Sequence, residues 1–256
     1  MHFIVNEWRY FLTAVMFFTR IPVHIDHYQE TDLNHASCYF PLVGIIVGLV
    51  GALTFWLSNT VLPLEISVLL SMVATILLTG AFHEDGLADA ADGLGGGHER
   101  EQVLTIMVDS RIGSYGAIAL VMALVIKYQS LSYISAAILP MVIVAGHGLS
   151  RYMAILVMFT QGYVKSTGKS KPIATQLSVS SLIFASVFGL LVPLILLLPF
   201  FGYKYLAVLL SVFLVWLWFS LKLKKRIGGY TGDCLGAMQQ ITEITFYLGI
   251  LACSSF

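Results

Sequence analysis

Between Phe82 and Gly97 the chain reads Phe-His-Glu-Asp-Gly-Leu-Ala-Asp-Ala-Ala-Asp-Gly-Leu-Gly-Gly-Gly. Three aspartates, a glutamate and a histidine crowd into His83–Asp92, with strongly apolar sequence on either side. In a helix, Asp85, Asp89 and Asp92 stand at i, i+4 and i+7. At about 100° per residue they share a sector of roughly 60°. Three carboxylates on one face repel one another unless a cation lies between them. Hard divalent ions such as Mg²⁺ take oxygen ligands and bridge protein carboxylates to substrate phosphates. The spacing therefore predicts a metal site, the plain alternative being a solvated acidic loop. The run Gly95-Gly96-Gly97 is expected to end the helix, since glycine tolerates positive φ.

Four further polar clusters could serve the same chemistry. Asp109-Ser110-Arg111 offers a fourth carboxylate and a guanidinium able to bind phosphate, or simply a surface ion pair. Ser150-Arg151 lies inside apolar sequence, where an arginine either faces a partner or cavity or reaches back to the interface. Lys165, Lys169 and Lys171 form a basic loop around Gly168, which could equally be only a topology signal. Gly228–Gly236 is glycine-rich and carries Thr231, Gly232 and Asp233 at a helix start. Free backbone N–H groups there can hold an anion, or Thr231 or Asp233 can act as a simple cap. Glu243 needs a partner within the protein. His147 is expected to be a hydrogen-bonded core histidine.

The elements that must position these residues are membrane helices. Of 256 residues, 58% are hydrophobic and 11% charged, and the mean hydropathy is +0.86. A soluble domain carries about 25% charged residues, so the composition describes an integral membrane protein. The formal net charge of zero gives no reason to expect nucleic acid as a partner. Cys38, Cys234 and Cys253 show neither metal-ligand nor disulfide spacing. No cleavable signal peptide is expected from Met1–Tyr10.

Glu7 to Phe18 is too short to span and suits an N-terminal interfacial helix. Spans are predicted near Phe40–Leu57, Leu64–Phe82, Tyr115–Tyr133, Ile134–Phe159, Ser180–Leu198, Gly202–Leu221 and Cys234–Cys253. The first carries Gly44, Gly48 and Gly51 on a small face suited to close helix contact. The expected fold is thus all-α, a polytopic helical bundle of about seven transmembrane helices, with residues 1–256 forming one membrane-embedded domain. With the N-terminus inside, most basic residues fall on the cytoplasmic side together with the acidic motif. Only Lys127 and Lys204 fall opposite. Metal-binding carboxylates, arginines and glycine turns in a membrane frame suggest phosphoryl or nucleotidyl transfer at the cytoplasmic surface.

Taken together, these blocks resemble the cobalamin synthases, or adenosylcobinamide-GDP ribazoletransferases. The resemblance rests on Phe82–Asp89 with Asp92-Gly93, on Ile106-Met107 followed by Asp109-Ser110-Arg111 and Gly113, on Ser150-Arg151, and on Gly229 with Thr231-Gly232-Asp233 and Leu235-Gly236-Ala237. Phe18–Pro22 and Phe40-Pro41-Leu42 with Gly44 also fit, in family order over nearly the whole chain. Val108 departs from it, standing where a basic residue is expected.

The resemblance implies a Mg²⁺-dependent step in cobalamin assembly in the bacterial inner membrane. The hydroxyl of α-ribazole or its 5′-phosphate attacks adenosylcobinamide-GDP and GMP leaves. It implies Mg²⁺ on Asp85, Asp89, Asp92 and Asp109, with Arg111 and Arg151 clamping phosphate. Ser150, Lys169, Thr231, Gly232 and Asp233 would contact substrate, Thr231 and Asp233 holding the nucleotide or a second metal. His83 or an aspartate would take the hydroxyl proton. A homo-oligomer is compatible with this reading.

Two rival classes are weighed against it. A CDP-alcohol phosphotransferase would carry Ala-Arg after Asp92-Gly93, and a prenyltransferase a second Asp-rich motif. A transporter using Arg151 and Glu243 would not place carboxylates at the cytoplasmic surface.

Overall fold

Apolar sequence in a bilayer must satisfy its own backbone, and a helix does so within one segment. The computed structural model describes residues 2–25, 28–29, 32–164 and 177–254, and helices carry most of them. Helices α1 (His2–Phe18) and α2 (Asp32–Ala36) lead through a short 3₁₀ turn into α3 (Phe40–Ser58). Then come α4 (Leu64–Thr79), α5 (Phe82–Gly96), α6 (Arg100–Met107), α7 (Ser114–Ser132) and α8 (Leu139–Thr160). The last are α9 (Val179–Ser186), joined by a π-helical turn to α10 (Val192–Phe201), then α11 (Lys204–Ile227) and α12 (Gly232–Ser254). The one extended pairing among the described residues is a single bridge between Tyr163 and Tyr230.

Five described segments are long and apolar enough to cross a membrane: Asp32–Ser58, α7, α8, Val179–Phe201 and α11. The protein is therefore a multi-pass helical membrane protein. Two of the seven expected spans differ. The segment near Leu64–Phe82 is long enough to span only when α4, of 16 residues, is taken together with α5, and the two meet at 85°. The segment near Cys234–Cys253 is one continuous helix, α12. Its hydropathy is lowered by the buried polar residues Gln239, Gln240 and Glu243. The structure also adds α6, which lies in the expected loop. Its surroundings make that segment helical where its mixed composition gave no pattern.

The centre of the bundle is α8, buried along nearly its whole length. Helix α3 packs on it through the small face expected from the sequence. A Cβ at Gly44 would collide with the His147 carbonyl, and one at Gly48 would stand 2.7 Å from the Val144 Cα. Such small residues let membrane helices approach closely enough for dispersion contacts to hold them. Helix α1 packs beside this pair, tied by an ion pair from Arg9 to Asp32 at 3.2 Å and a hydrogen bond from the Tyr39 hydroxyl to Glu7 at 2.5 Å.

Deep in the bundle, Glu243 is fully buried and gathers a polar cluster. Lys127 of α7 forms an ion pair with its Oε1, and Tyr247 donates to the same oxygen at 3.1 Å. Gln239 donates to Oε2, with Ser150 at 3.5 Å and the His147 ring at 3.4 Å. Both expectations for these residues hold: Glu243 finds its partners inside, and His147 is a core histidine. Lys127, however, expected toward the far side, is buried within α7 and paired with Glu243, so it leaves the basic-residue count that orients the chain. Removing one partner of a buried pair strands the other charge, costing roughly 3–5 kcal/mol. Lys127→Met should therefore lower the detergent melting temperature markedly, and adding Glu243→Gln should recover part of the loss. Lys127→Met melting like the wild type would contradict this pairing.

Candidate active site

Backbone geometry places the acidic motif. Helix α4 ends at Gly80 and Ala81, both left-handed at φ 67° and 59°. Alanine pays about 1–2 kcal/mol for that conformation. Their turn redirects α5 by 85°, and the Arg20 backbone N–H closes the corner on the Leu78 carbonyl at 2.7 Å. Two glycines then allow α5 to lie directly on α12. A Cβ at Gly86 would stand 3.0 Å from the Asp233 carbonyl and 3.2 Å from the Gly236 Cα. Gln240 of α12 donates to Glu84 of α5 at 2.9 Å, reinforcing the contact. At its far end α5 stops as expected within the glycine run. Gly97 is extended, not left-handed.

The turn before α12 is fixed by three latches. Arg226 donates to the Gly97 carbonyl at 2.6 Å, and Arg100 donates to the Ile227 carbonyl at 2.9 Å. The Val164 N–H donates to Tyr230 at 2.8 Å, and the Tyr230 N–H to Gly162 at 3.1 Å. Thr231 then accepts from the Cys234 N–H at 3.4 Å, acting as the helix cap.

These segments enclose a cleft of about 480 Å³. Asp85 and Asp89 reach it from α5, Asp109 and Ser110 from the loop after α6, and Thr231, Gly232 and Asp233 from the start of α12. Burial, followed by the charges of Asp85, Asp233 and Asp92, pushes the Asp89 carboxyl up to about 7. Burial, with Asp85 beside it, moves Asp233 up to about 6, against the hydrogen bond from Thr231. This surplus of negative charge is what a bound cation compensates. No three His, Cys, Asp or Glu side chains among the described residues already converge on one metal position. Mg²⁺ typically takes one or two carboxylates and completes its shell with water and substrate phosphates. The donor set fits such an ion.

The remaining expected residues lie elsewhere. Asp92 turns away from the cleft and caps α7. Its two oxygens accept from the Gly113 and Gly116 N–H groups at 2.7 and 2.8 Å. A Cβ at either glycine would collide with this carboxylate. Arg111 is exposed and paired with Asp109, at 2.6 Å from Nη2 to Oδ2. That pairing holds Asp109 at about 2. His83 is buried behind the cleft, stacked on Phe18 with ring centroids 5.6 Å apart.

Ser150 and Arg151 are buried further in. Arg151 donates to the His147 carbonyl at 3.0 Å and lies 3.1 Å from its Nδ1. His83 and Arg151 border a separate space of about 20 Å³, which shares Phe82 and Gly232 with the cleft. Lys169 lies outside the described residues. Sequence reasoning passed over Tyr163 and gave Phe82 no role beyond its place in the motif, yet both bring aromatic rings to the cleft. No spacing rule marks an aromatic among so many in an apolar chain.

The sequence matches the cobalamin-5-phosphate synthase family over residues 10–251. An adenosylcobinamide-GDP ribazoletransferase of Shewanella frigidimarina is 47% identical, covering 97% of this chain and 96% of its own length. One of Ralstonia pickettii is 44% identical, with 96% of each chain covered. No solved structure matches.

The placement of the aspartates separates the cap on α7, Asp92, from the cleft-lining Asp85 and Asp89. Asp92→Ala should destabilise the protein by about 0.5–2 kcal/mol, as loss of a helix cap does. Asp85→Ala and Asp89→Ala should leave the melting temperature unchanged or raise it, because they relieve repulsion. Thermal melts showing the reverse order would overturn this division.

Proposed function

As the chain belongs to the cobalamin-5-phosphate synthase family, we propose that it is an adenosylcobinamide-GDP ribazoletransferase, acting at the cleft between α5, the loop after α6 and the start of α12. In this reaction a hydroxyl oxygen of α-ribazole, or of its 5′-phosphate, bonds to the phosphorus next to cobinamide. The bond from that phosphorus to the oxygen of GMP breaks, and GMP leaves. The observation that carries the reading is the convergence of carboxylates from three separate segments on one cleft.

Asp85, Asp89 and Asp233 are the residues that would hold Mg²⁺, with Asp109 at the rim. Bound there, the ion would neutralise the diphosphate and the charge growing on the leaving phosphate. Arg111 stands exposed beside Asp109, where its guanidinium fork can take phosphate oxygens as the substrate enters. Thr231, Gly232 and Asp233 line the same cleft, where the Thr231 hydroxyl and the N–H groups that open α12 would orient the phosphates. His83 does not line the cleft, so the hydroxyl proton is assigned to a cleft carboxylate. Arg151 braces the wall behind Gly232 and Phe82, a positioning role in place of the direct phosphate contact expected from sequence.

The cleft end of the bundle also carries Arg100, Lys222, Lys224, Lys225 and Arg226, whereas Lys204 begins α11 at its other end. The bias of basic residues toward the cytoplasm supports a cleft that opens on the cytoplasmic face of a bacterial inner membrane.

The test is GMP release from adenosylcobinamide-GDP and α-ribazole. Purified protein in detergent should release GMP with Mg²⁺ and none with a chelator. Sealed inside-out vesicles should do so without permeabilisation. Asp85→Asn and Asp89→Asn should lose about a hundredfold in kcat/KM, partly recovered at high Mg²⁺. No GMP from the wild type, or equal rates with chelator, would refute the proposal.

A further inference from the structure

The cleft carries two aromatic side chains, Phe82 and Tyr163, and they stand in different surroundings. Phe82 belongs to an apolar wall, with Phe17 and Phe18 ring centroids at 5.3 and 5.6 Å. Tyr163 stands perpendicular to Tyr230, with centroids 5.6 Å apart, and shares the cleft with Ser110, Asp109 and Asp233. Its position comes from the backbone: Gly162 and Val164 are bonded to Tyr230, and a Cβ at Gly229 would collide with the Gly162 carbonyl. The strand-like bridge thus presents this ring on the cleft whatever its side chain does. Burial and the nearby charge of Asp233 push its hydroxyl above the ordinary tyrosine range, so the ring is neutral at physiological pH.

Of the substrates' ring systems, the proposed reaction brings two bases beside the reacting phosphates, guanine on the leaving group and benzimidazole on the attacking one. The benzimidazole of α-ribazole is apolar at its outer edge. Guanine presents N–H donors on its pairing edge, which carboxylates and hydroxyls accept. We propose that Tyr163 is the platform on which the guanine of adenosylcobinamide-GDP stacks, with the apolar Phe82 wall left to the benzimidazole. This rests on the transferase reading above and assigns a substrate position within it. Tyr163 acts here as a specificity-determining residue, holding the leaving nucleotide so that its phosphates meet Asp85, Asp89 and Asp233. A stacked base is typically worth enough that removing the ring costs about tenfold in binding.

Tyr163→Leu keeps the backbone bridge and removes the aromatic face, and Tyr163→Phe keeps the face and removes the hydroxyl. Tyr163→Leu should raise KM for adenosylcobinamide-GDP about tenfold, with KM for α-ribazole and kcat near wild type. Tyr163→Phe should restore the KM. Calorimetric binding of GDP with Mg²⁺ should weaken by the same factor in Tyr163→Leu, read without turnover. Unchanged GDP affinity, failure of Tyr163→Phe to restore it, or a KM rise confined to α-ribazole would overturn the assignment. A wild type that releases no GMP yet binds GDP tenfold tighter than Tyr163→Leu would instead overturn the transferase reading and leave the ring its role.

Discussion

The contact of α5 with α12 at Gly86 and Gly236 is the constraint on which the site depends. A Cβ at Gly86 would come within 3.2 Å of the Gly236 Cα, so even an alanine there requires the two backbones to give by a few tenths of an ångström. At that separation Asp85 and Asp89 on one helix share a cleft with Asp233 on the other. Carboxylates repel, and nothing in their own chemistry would assemble them. Packing elsewhere supplies the force: glycine contact, the Gln240–Glu84 hydrogen bond, and the latches from Arg226 and Arg100. The left-handed turn at Gly80 and Ala81 is a local cost paid within the same arrangement, since it lays α5 across α12 instead of continuing α4.

Behind the cleft, the polar core does a different job. Helices in a bilayer gain little from burying apolar surface against one another, so buried polar groups and small residues fix their register. Glu243 binds α7 through Lys127 and α8 through Ser150 and His147. Its helix is the one that carries Asp233. His147 in turn holds Arg151, which borders the wall shared with Phe82 and Gly232. The chain of contacts from the membrane interior to the cleft is continuous, and it makes the ionic core a foundation for the site rather than a second one.

Much of this was legible in the residues. Hydropathy located the spans to within a few positions, because long apolar runs have few alternatives in a bilayer. The acidic stretch stood out against that background, and the glycine face of α3 packs where its spacing said. The failures share a cause: one-dimensional periodicity sees a helix face but not what lies opposite. Asp92 shares the face of Asp85 and Asp89, yet the start of α7 lies against it and consumes both of its oxygens. Lys127 counts as a far-side charge in sequence because its partner is 116 residues away. The bend at Ala81 was hidden because alanine rarely adopts that conformation. Tyr163 became visible only once the backbone bridge to Tyr230 showed which ring meets the cleft.

The central claim is that the cleft binds a divalent cation through carboxylates from α5 and α12, with Asp92 excluded. It is tested most directly by electron paramagnetic resonance of Mn²⁺, which takes the same oxygen ligands as Mg²⁺, titrated into the detergent-solubilised protein. The account predicts that Asp85→Asn, Asp89→Asn and Asp233→Asn each weaken Mn²⁺ binding by about tenfold or more, while Asp92→Asn binds it as the wild type does. Loss of Mn²⁺ binding in Asp92→Asn with Asp233→Asn unaffected would contradict it.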